Sequence, residues 1–160
     1  MKTIRAYPIL VLLLAISAVL WHSPAWAEEF ETSSLRIKTP TGQYGFVVEM
    51  AVTSRQREQG LQNRTEMAAD RGMLFDFRSP VYVVMWMKNT HISLDMLFIN
   101  ETGRIVRIAE KTEPHSLNRI SSEGRVRAVL ELVAGSVERI GARVGDHVLH
   151  PIFNNGHHKE

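Results

Sequence analysis

Between Val81 and Ile99 two apolar runs, Val81 to Met87 and Leu94 to Ile99, enclose a polar knot, Lys88-Asn89-Thr90, with Asp95 set inside the second run. Both runs are short and rich in β-branched, aromatic and sulfur-containing residues, and both read as strands. The first is apolar at nearly every position, as expected of a strand buried on both faces. A lysine and an aspartate inside such a core are costly unless they are paired, hydrogen-bonded or used. The chain must therefore build a sheet and place this knot where its polar groups find partners or a ligand.

The first 27 residues read as an address. Lys2 and Arg5 form a positive n-region, Ile9 to Leu20 is an almost unbroken apolar run, and Ala25-Trp26-Ala27 supplies an A-x-A cleavage signal before Glu28. The apolar run is shorter than the roughly 20 residues a membrane-spanning helix needs. A cleaved secretory signal, with no stable membrane anchor left after cleavage, is the expectation, and with it a periplasmic or secreted location. Lys2 and Arg5 leave with the signal and no acid does, so 19 basic residues become 17 against 17 acidic. That balance gives no reason to expect nucleic acid as a partner. There is no cysteine, so an exported domain must be stable without disulfides, and thiol chemistry is excluded.

The rest reads as a loose leader over 28–34, one β-rich domain over 35–153 and a flexible tail over 154–160. Strands are expected at Leu35 to Lys38, Tyr44 to Val52, Gly72 to Phe77 (closed by Ser79-Pro80), Val81 to Met87 and Leu94 to Ile99. Further strands are expected at Arg104 to Ala109, Arg125 to Leu132 and His147 to Phe153. Thr53 and Gln56 fit a capping box for a short helix over Ser54 to Gln59 that ends at Gly60. A second short helix fits Gly135 to Ile140, ended by Gly141. Residues 110–124 read as a long polar loop. The pattern predicts an α+β, β-rich fold: a small curled sheet or barrel-like domain with two short helices.

Gly60-Leu61 with Arg64, Gly72-Met-Leu-Phe75, Trp86-Met-Lys-Asn-Thr90, Leu94-Asp95 with Phe98-Ile99, Leu130-Glu-Leu132 and Val144-Gly145-Asp146 resemble successive blocks of domain-of-unknown-function family 192. The resemblance runs from about Leu35 to Val148. It implies a compact, commonly exported β-rich domain of bacterial origin and carries no established activity. Two blocks depart from the family pattern. Ser93 stands where a proline is usual before Leu94-Asp95, and Met85 stands where an aromatic residue usually precedes the tryptophan.

The candidate ligand-binding residues are Trp86, Lys88, Asn89, Thr90 and Asp95, joined by Glu131 from the alternating strand. A lysine, an amide and a hydroxyl together can hold a carboxylate or phosphate, with Asp95 orienting Lys88. Set against this is a structural reading in which Lys88 and Asp95 pair across a hairpin while Asn89 and Thr90 satisfy backbone groups in a demanding turn. No catalytic residue is assigned, because a Lys–Asp pair lacks a nucleophile-plus-base arrangement. The leading expectation is a binding or accessory module with a polar pocket or docking edge for a small polar ligand or an exported protein. One alternative is a hydrolase or lyase using Lys88 or Asp95. Another is copper or zinc handling through Met85 and Met87 or the histidines at 147, 150, 157 and 158, although methionine is ordinary core filler. No cofactor is expected.

Overall fold

In the computed structural model the described residues are 29–155. The expected signal over 1–27, and His157 and His158 in the tail, lie outside them. The chain runs β1 (Thr32–Thr39), β2 (Gly42–Ala51), α1 (Ser54–Gln59), β3 (Arg71–Met85), β4 (Leu94–Ile99), β5 (Ile105–Ala109), β6 (Ile120–Val133), α2 (Ser136–Ile140), β7 (His147–Leu149) and a 3-10 turn (Pro151–Phe153). The strands form one sheet in the order β5-β4-β6-β3-β2-β1-β7. It curls into a half-barrel, so the expected β-rich fold with two short helices is the one found. Every pairing is antiparallel except β2 with β3, which run parallel across the α1 crossover.

Period-two alternation sends side chains to opposite faces of the sheet, and each face has its own core. On β4, Leu97 and Ile99 join a cluster with Ile37, Val48, Leu130 and α2's Val137 and Ile140. Leu94, Met96 and Phe98 join the other cluster, with Met73, Phe75, Met87 and Val129. This division decides which of the candidate polar residues can meet.

Several boundaries differ from the expected ones for physical reasons. β1 begins at Thr32, inside the expected leader, because Thr32 to Ser34 pair with Glu49 to Val47. At the other end Asn155 is not a loose tail residue: its amide nitrogen donates to the carbonyls of Val148 and Thr102, and its oxygen accepts from the His150 amide. The two strands expected on either side of Ser79-Pro80 are one strand, β3, carried past the proline by a bulge between Asp76 and Val81. Proline is tolerated at such a break in the ladder. Asp76 anchors it by accepting from the Arg78 amide at 2.7 Å and from Arg127 Nε at 2.7 Å and Nη2 at 3.1 Å. Burial pushes the Asp76 pKa up, but these donors outweigh it and hold the carboxyl below its ordinary value.

β6 also starts earlier than expected, at Ile120, which shortens the long polar loop. Ser121 and Ile120 pair with Val84 and Met85, and Ser122 Oγ accepts from the Val83 amide at 3.0 Å. Serines and a glycine hide this strand in the sequence because it belongs to a two-stranded ribbon beyond the main sheet.

At the sheet's centre, Gly72 sits between β2 and β6, where a Cβ would lie 2.5 Å from the Glu131 carbonyl oxygen and 2.7 Å from a Leu132 methyl. Backbone cannot yield as a flexible side chain can. Gly72→Ala is therefore expected to cost about 1–3 kcal/mol, the range for an overpacked core, read as a lowered urea midpoint at unchanged slope. An unchanged midpoint would contradict this account.

Candidate binding pocket

The polar knot follows β3 directly. The amide of Met87 donates to the Ser116 carbonyl and that of Thr90 to the Met87 carbonyl, closing a turn in which Asn89 takes φ 56°. Asparagine tolerates that left-handed conformation better than most residues. Its carbonyl accepts from the Asn63 amide at 2.7 Å and its side chain donates to Gln62 Oε1 at 3.2 Å. The Thr90 hydroxyl is buried and turned back to the Lys88 carbonyl at 3.4 Å. Asn89 and Thr90 thus organise the turn and tie it to the chain after α1.

Asp95 does not join them. It lies on the first-cluster face with Leu97 and Ile99, fully buried, whereas the knot borders the second cluster. Its Oδ1 accepts from the Lys111 amide and its Oδ2 from the Val137 amide, each at 2.9 Å. The expected Lys88–Asp95 pair is therefore absent, both as an orienting contact and as a brace across a hairpin. Lys88 is exposed and makes no ion pair among the described residues.

Glu131 does join the knot. It is on β6, opposite Met73 of β3 and Met96 of β4, both wholly buried. Its residue is 4 % exposed, and among the described residues no hydrogen bond or ion pair holds its carboxyl, whose oxygens are not sealed off completely. Burial against these apolar neighbours pushes its pKa to about 8. The carboxyl borders a cavity of about 410 Å³ that Trp86, Lys88 and Thr90 also line. Four of the six candidate residues therefore surround one space, while Asn89 braces it from outside and Asp95 lies across the sheet.

Further walls were not among the candidate ligand-binding residues: Leu61 and Gln62 after α1, Phe75 and Phe77 of β3, Tyr82 to Val84, and Met85, which was named only for metal handling. Arg57 lies over the Phe77 ring at 5.3 Å and donates to the Val52 and Asp76 carbonyls, so its charge is already engaged. The run Val81 to Met87 is not buried on both faces. Val83 and Met87 are buried, but Tyr82 is 73 %, Val84 50 % and Trp86 51 % exposed. An i, i+2, i+4 apolar stripe is the signal that could have marked this surface.

The geometry of the metal-handling residues is different. Met87 is buried with its Sδ at 3.1 Å from the Thr112 hydroxyl, which donates to it, while Met85 borders the cavity. His150 is buried, with Nε2 2.9 Å from Ser33 Oγ, and burial lowers its pKa; His147 is exposed. Among the described residues no three His, Asp or Glu side chains form a metal-binding group. No described helix is long and apolar enough to cross a membrane.

A β-rich curled sheet with a buried, unpartnered carboxyl beside a Trp-Met-Lys-Asn-Thr turn places the chain in a structural class without an assigned chemistry. Residues 36–150 match the model of domain-of-unknown-function family 192, the "Uncharacterized ACR" family, and the chain belongs to it. No curated protein matches the chain. Among solved structures, a Sinorhizobium meliloti 1021 protein proposed to be a transcription regulator is 45 % identical with a TM-score of 0.76, covering 78 % of this chain and 98 % of its own. A Novosphingobium aromaticivorans DSM 12444 protein of unknown function is 29 % identical with a TM-score of 0.73, covering 80 % of this chain and 97 % of its own.

Proposed function

We propose that the protein is an exported binding module whose cavity beside β3 takes a ligand with an apolar body, a hydrogen-bonding group at its inner end and an anionic group at the mouth. The observation that carries this is Glu131: a largely buried carboxyl with no partner among the described residues, whose oxygens keep some exposure where it borders a space walled in part by Phe75, Met85 and Trp86. Setting a carboxyl against wholly buried apolar neighbours is costly, and native folds rarely do so without a partner or a use for it. With a pKa of about 8 the carboxyl is mainly protonated at neutral pH, so it offers both a donor and an acceptor without a net charge. Lys88, exposed and unpaired, supplies the charge for an anionic group. Phe75, Trp86 and Met85 supply apolar contact.

Native mass spectrometry of the protein purified from its own cells, followed by thermal-shift screening against small carboxylates, tests this reading. A co-purifying mass or a stabilising carboxylate is expected. Glu131→Gln, which keeps a donor and an acceptor, retains binding within a few-fold; Glu131→Leu weakens it at least tenfold. Lys88→Met weakens anionic compounds alone and leaves the melting curve in place. An apo mass together with no stabilising compound would sink the proposal. A mature N-terminus at Glu28 in the same spectrum supports export; an intact Met1 argues against it.

Acid–base catalysis is favoured over binding by one observation only, that a carboxyl titrating near neutrality suits proton transfer. Asp95 cannot serve it, with both oxygens committed to backbone amides. The role proposed for the S. meliloti relative finds little support here, since the charges from Glu28 onward balance and leave no net positive charge to draw phosphate.

A further inference from the structure

We propose that the groove beside Val81 to Met85 receives the C-terminal end of an extended peptide, which adds a strand to this edge and sets its terminal carboxylate on Lys88. The inference rests on the binding reading above and names the ligand class.

The edge is open. β2 pairs with β3 only from Arg71 to Phe75, so beyond Phe75 no described strand lies on that side. On the other side β6 continues to Met85. The amide of Val83 donates to Ser122 Oγ on β6, and past the end of β3 that of Met87 donates to the Ser116 carbonyl in the loop before β6. With Val83 facing β6, strand alternation turns the backbone groups of Tyr82 and Val84 towards the open side, and Trp86 follows directly after the strand. An unpaired row of alternating N–H and C=O groups is a template for another strand.

The cavity follows this row. It touches Tyr82, Val83, Val84, Met85 and Trp86 in succession. Successive side chains point to opposite faces, so a space bordered by all five reaches the backbone edge, while Phe75, Phe77 and Glu131 carry it inwards over the second-cluster face. Its far wall is another unbroken run, Arg57 to Gln62. A space of about 410 Å³ between these walls suits a few residues of one chain and would not admit the sheet edge of a second copy. Backbone pairing gives such a peptide its affinity, and pockets for alternate side chains give selectivity. Glu131 at the cavity border provides one such pocket. Lys88 follows the edge by three residues and makes no ion pair among the described residues, which favours a chain end carrying a carboxylate over an internal segment.

The test uses the protein purified from its own cells with three probes: a pool of labelled octapeptides with free C-termini, the same pool amidated, and 3-phenylpropionate. The free-carboxylate pool is expected to bind at least tenfold more tightly than the amidated pool and to protect the amides of Tyr82, Val84 and Trp86 from hydrogen exchange. Val84→Pro, which removes an outward N–H at a strand edge, abolishes peptide binding. Should that variant misfold, Lys88→Met still decides, because it must erase the preference for the free carboxylate. Binding of 3-phenylpropionate without peptide binding overturns the peptide inference and leaves the binding reading standing, whereas silence from all three probes removes both. Equal binding of the two peptide pools overturns the carboxylate contact. Protection of the same amides that rises with protein concentration alone would assign the edge to a second copy and overturn the proposal.

Discussion

Asp95→Ala is expected to lower the free energy of unfolding by about 3–5 kcal/mol, because two hydrogen bonds to a buried charge are lost and two amides are left without acceptors. The helix α2 explains why the cost is so large. Its N-cap position is Gly135, at φ 84°, which has no side chain to cap the helix. The acceptor comes instead from another strand: Asp95 Oδ2 takes the Val137 amide, and Oδ1 takes the Lys111 amide after β5. One carboxylate therefore fixes a helix start and a loop that local sequence leaves loose. Asp95→Asn keeps the shape but presents an NH2 to one of these amides, and should cost about 1.5–3 kcal/mol, one such bond. Urea unfolding followed by far-UV circular dichroism measures both. A loss below about 0.5 kcal/mol for the alanine variant would show that α2 does not depend on this contact. Loss of carboxylate binding at unchanged stability would return Asp95 to the pocket.

The legibility of these features in the sequence follows how local their causes are. β4 and α1 were readable to the residue, the first from an apolar run bounded by turn signals and the second from its Thr53–Gln56 capping box, whose reciprocal bonds are present. Glu131 could be placed on one face with Val129 by alternation, and both do border the second cluster's side of the sheet. What failed was non-local. An unbroken apolar run such as Val81 to Met87 reads the same whether strands flank it on both sides or one side is open, and only the short reach of β2 along β3 distinguishes the two. The Lys88–Asp95 pairing failed because Asp95's position on β4 sends it to the opposite core. The far wall, Arg57 to Gln62, was unreadable as part of a site, since its place beside the strand depends on the parallel β2–α1–β3 crossover.

The contribution of Glu131 to stability, read as the difference between the natural protein and Glu131→Gln, should fall as pH rises from about 4.5 to about 8. The sign follows from proton counting. The carboxyl titrates near 8 in the fold and near 4.5 when unfolded, so between these values the folded state holds a proton that the unfolded state has released. This contribution then decreases with pH across this window, is fullest below 4.5, and reaches its floor above 8. The size is on the order of a few kcal/mol, at roughly 1.4 kcal/mol for each pH unit separating the two values. His150 acts in the opposite sense inside this window: burial lowers its pKa, so its contribution rises as pH climbs towards its ordinary 6.5 and is constant above it, which leaves the fall due to Glu131 cleanest from about 6.5 to 8. Asp76 also acts in the opposite sense, but at lower pH. Its depressed pKa makes stability drop only as pH falls below its ordinary 3.8, outside this window. Glutamine cannot ionise, so Glu131→Gln should show a flatter profile from pH 6.5 to 8 and exceed the natural protein at pH 8.5 to 9. Urea unfolding at half-unit pH intervals measures the profile. A natural protein whose stability is level or rising from pH 6.5 to 8, or a glutamine variant with the same slope, would mean that Glu131 already has a partner. The proposed binding site would then lose the group that defines it, since an anionic ligand at the mouth needs a neutral carboxyl beneath it. By the same linkage, binding of an anionic ligand should weaken as pH passes 8, when Glu131 ionises and repels it.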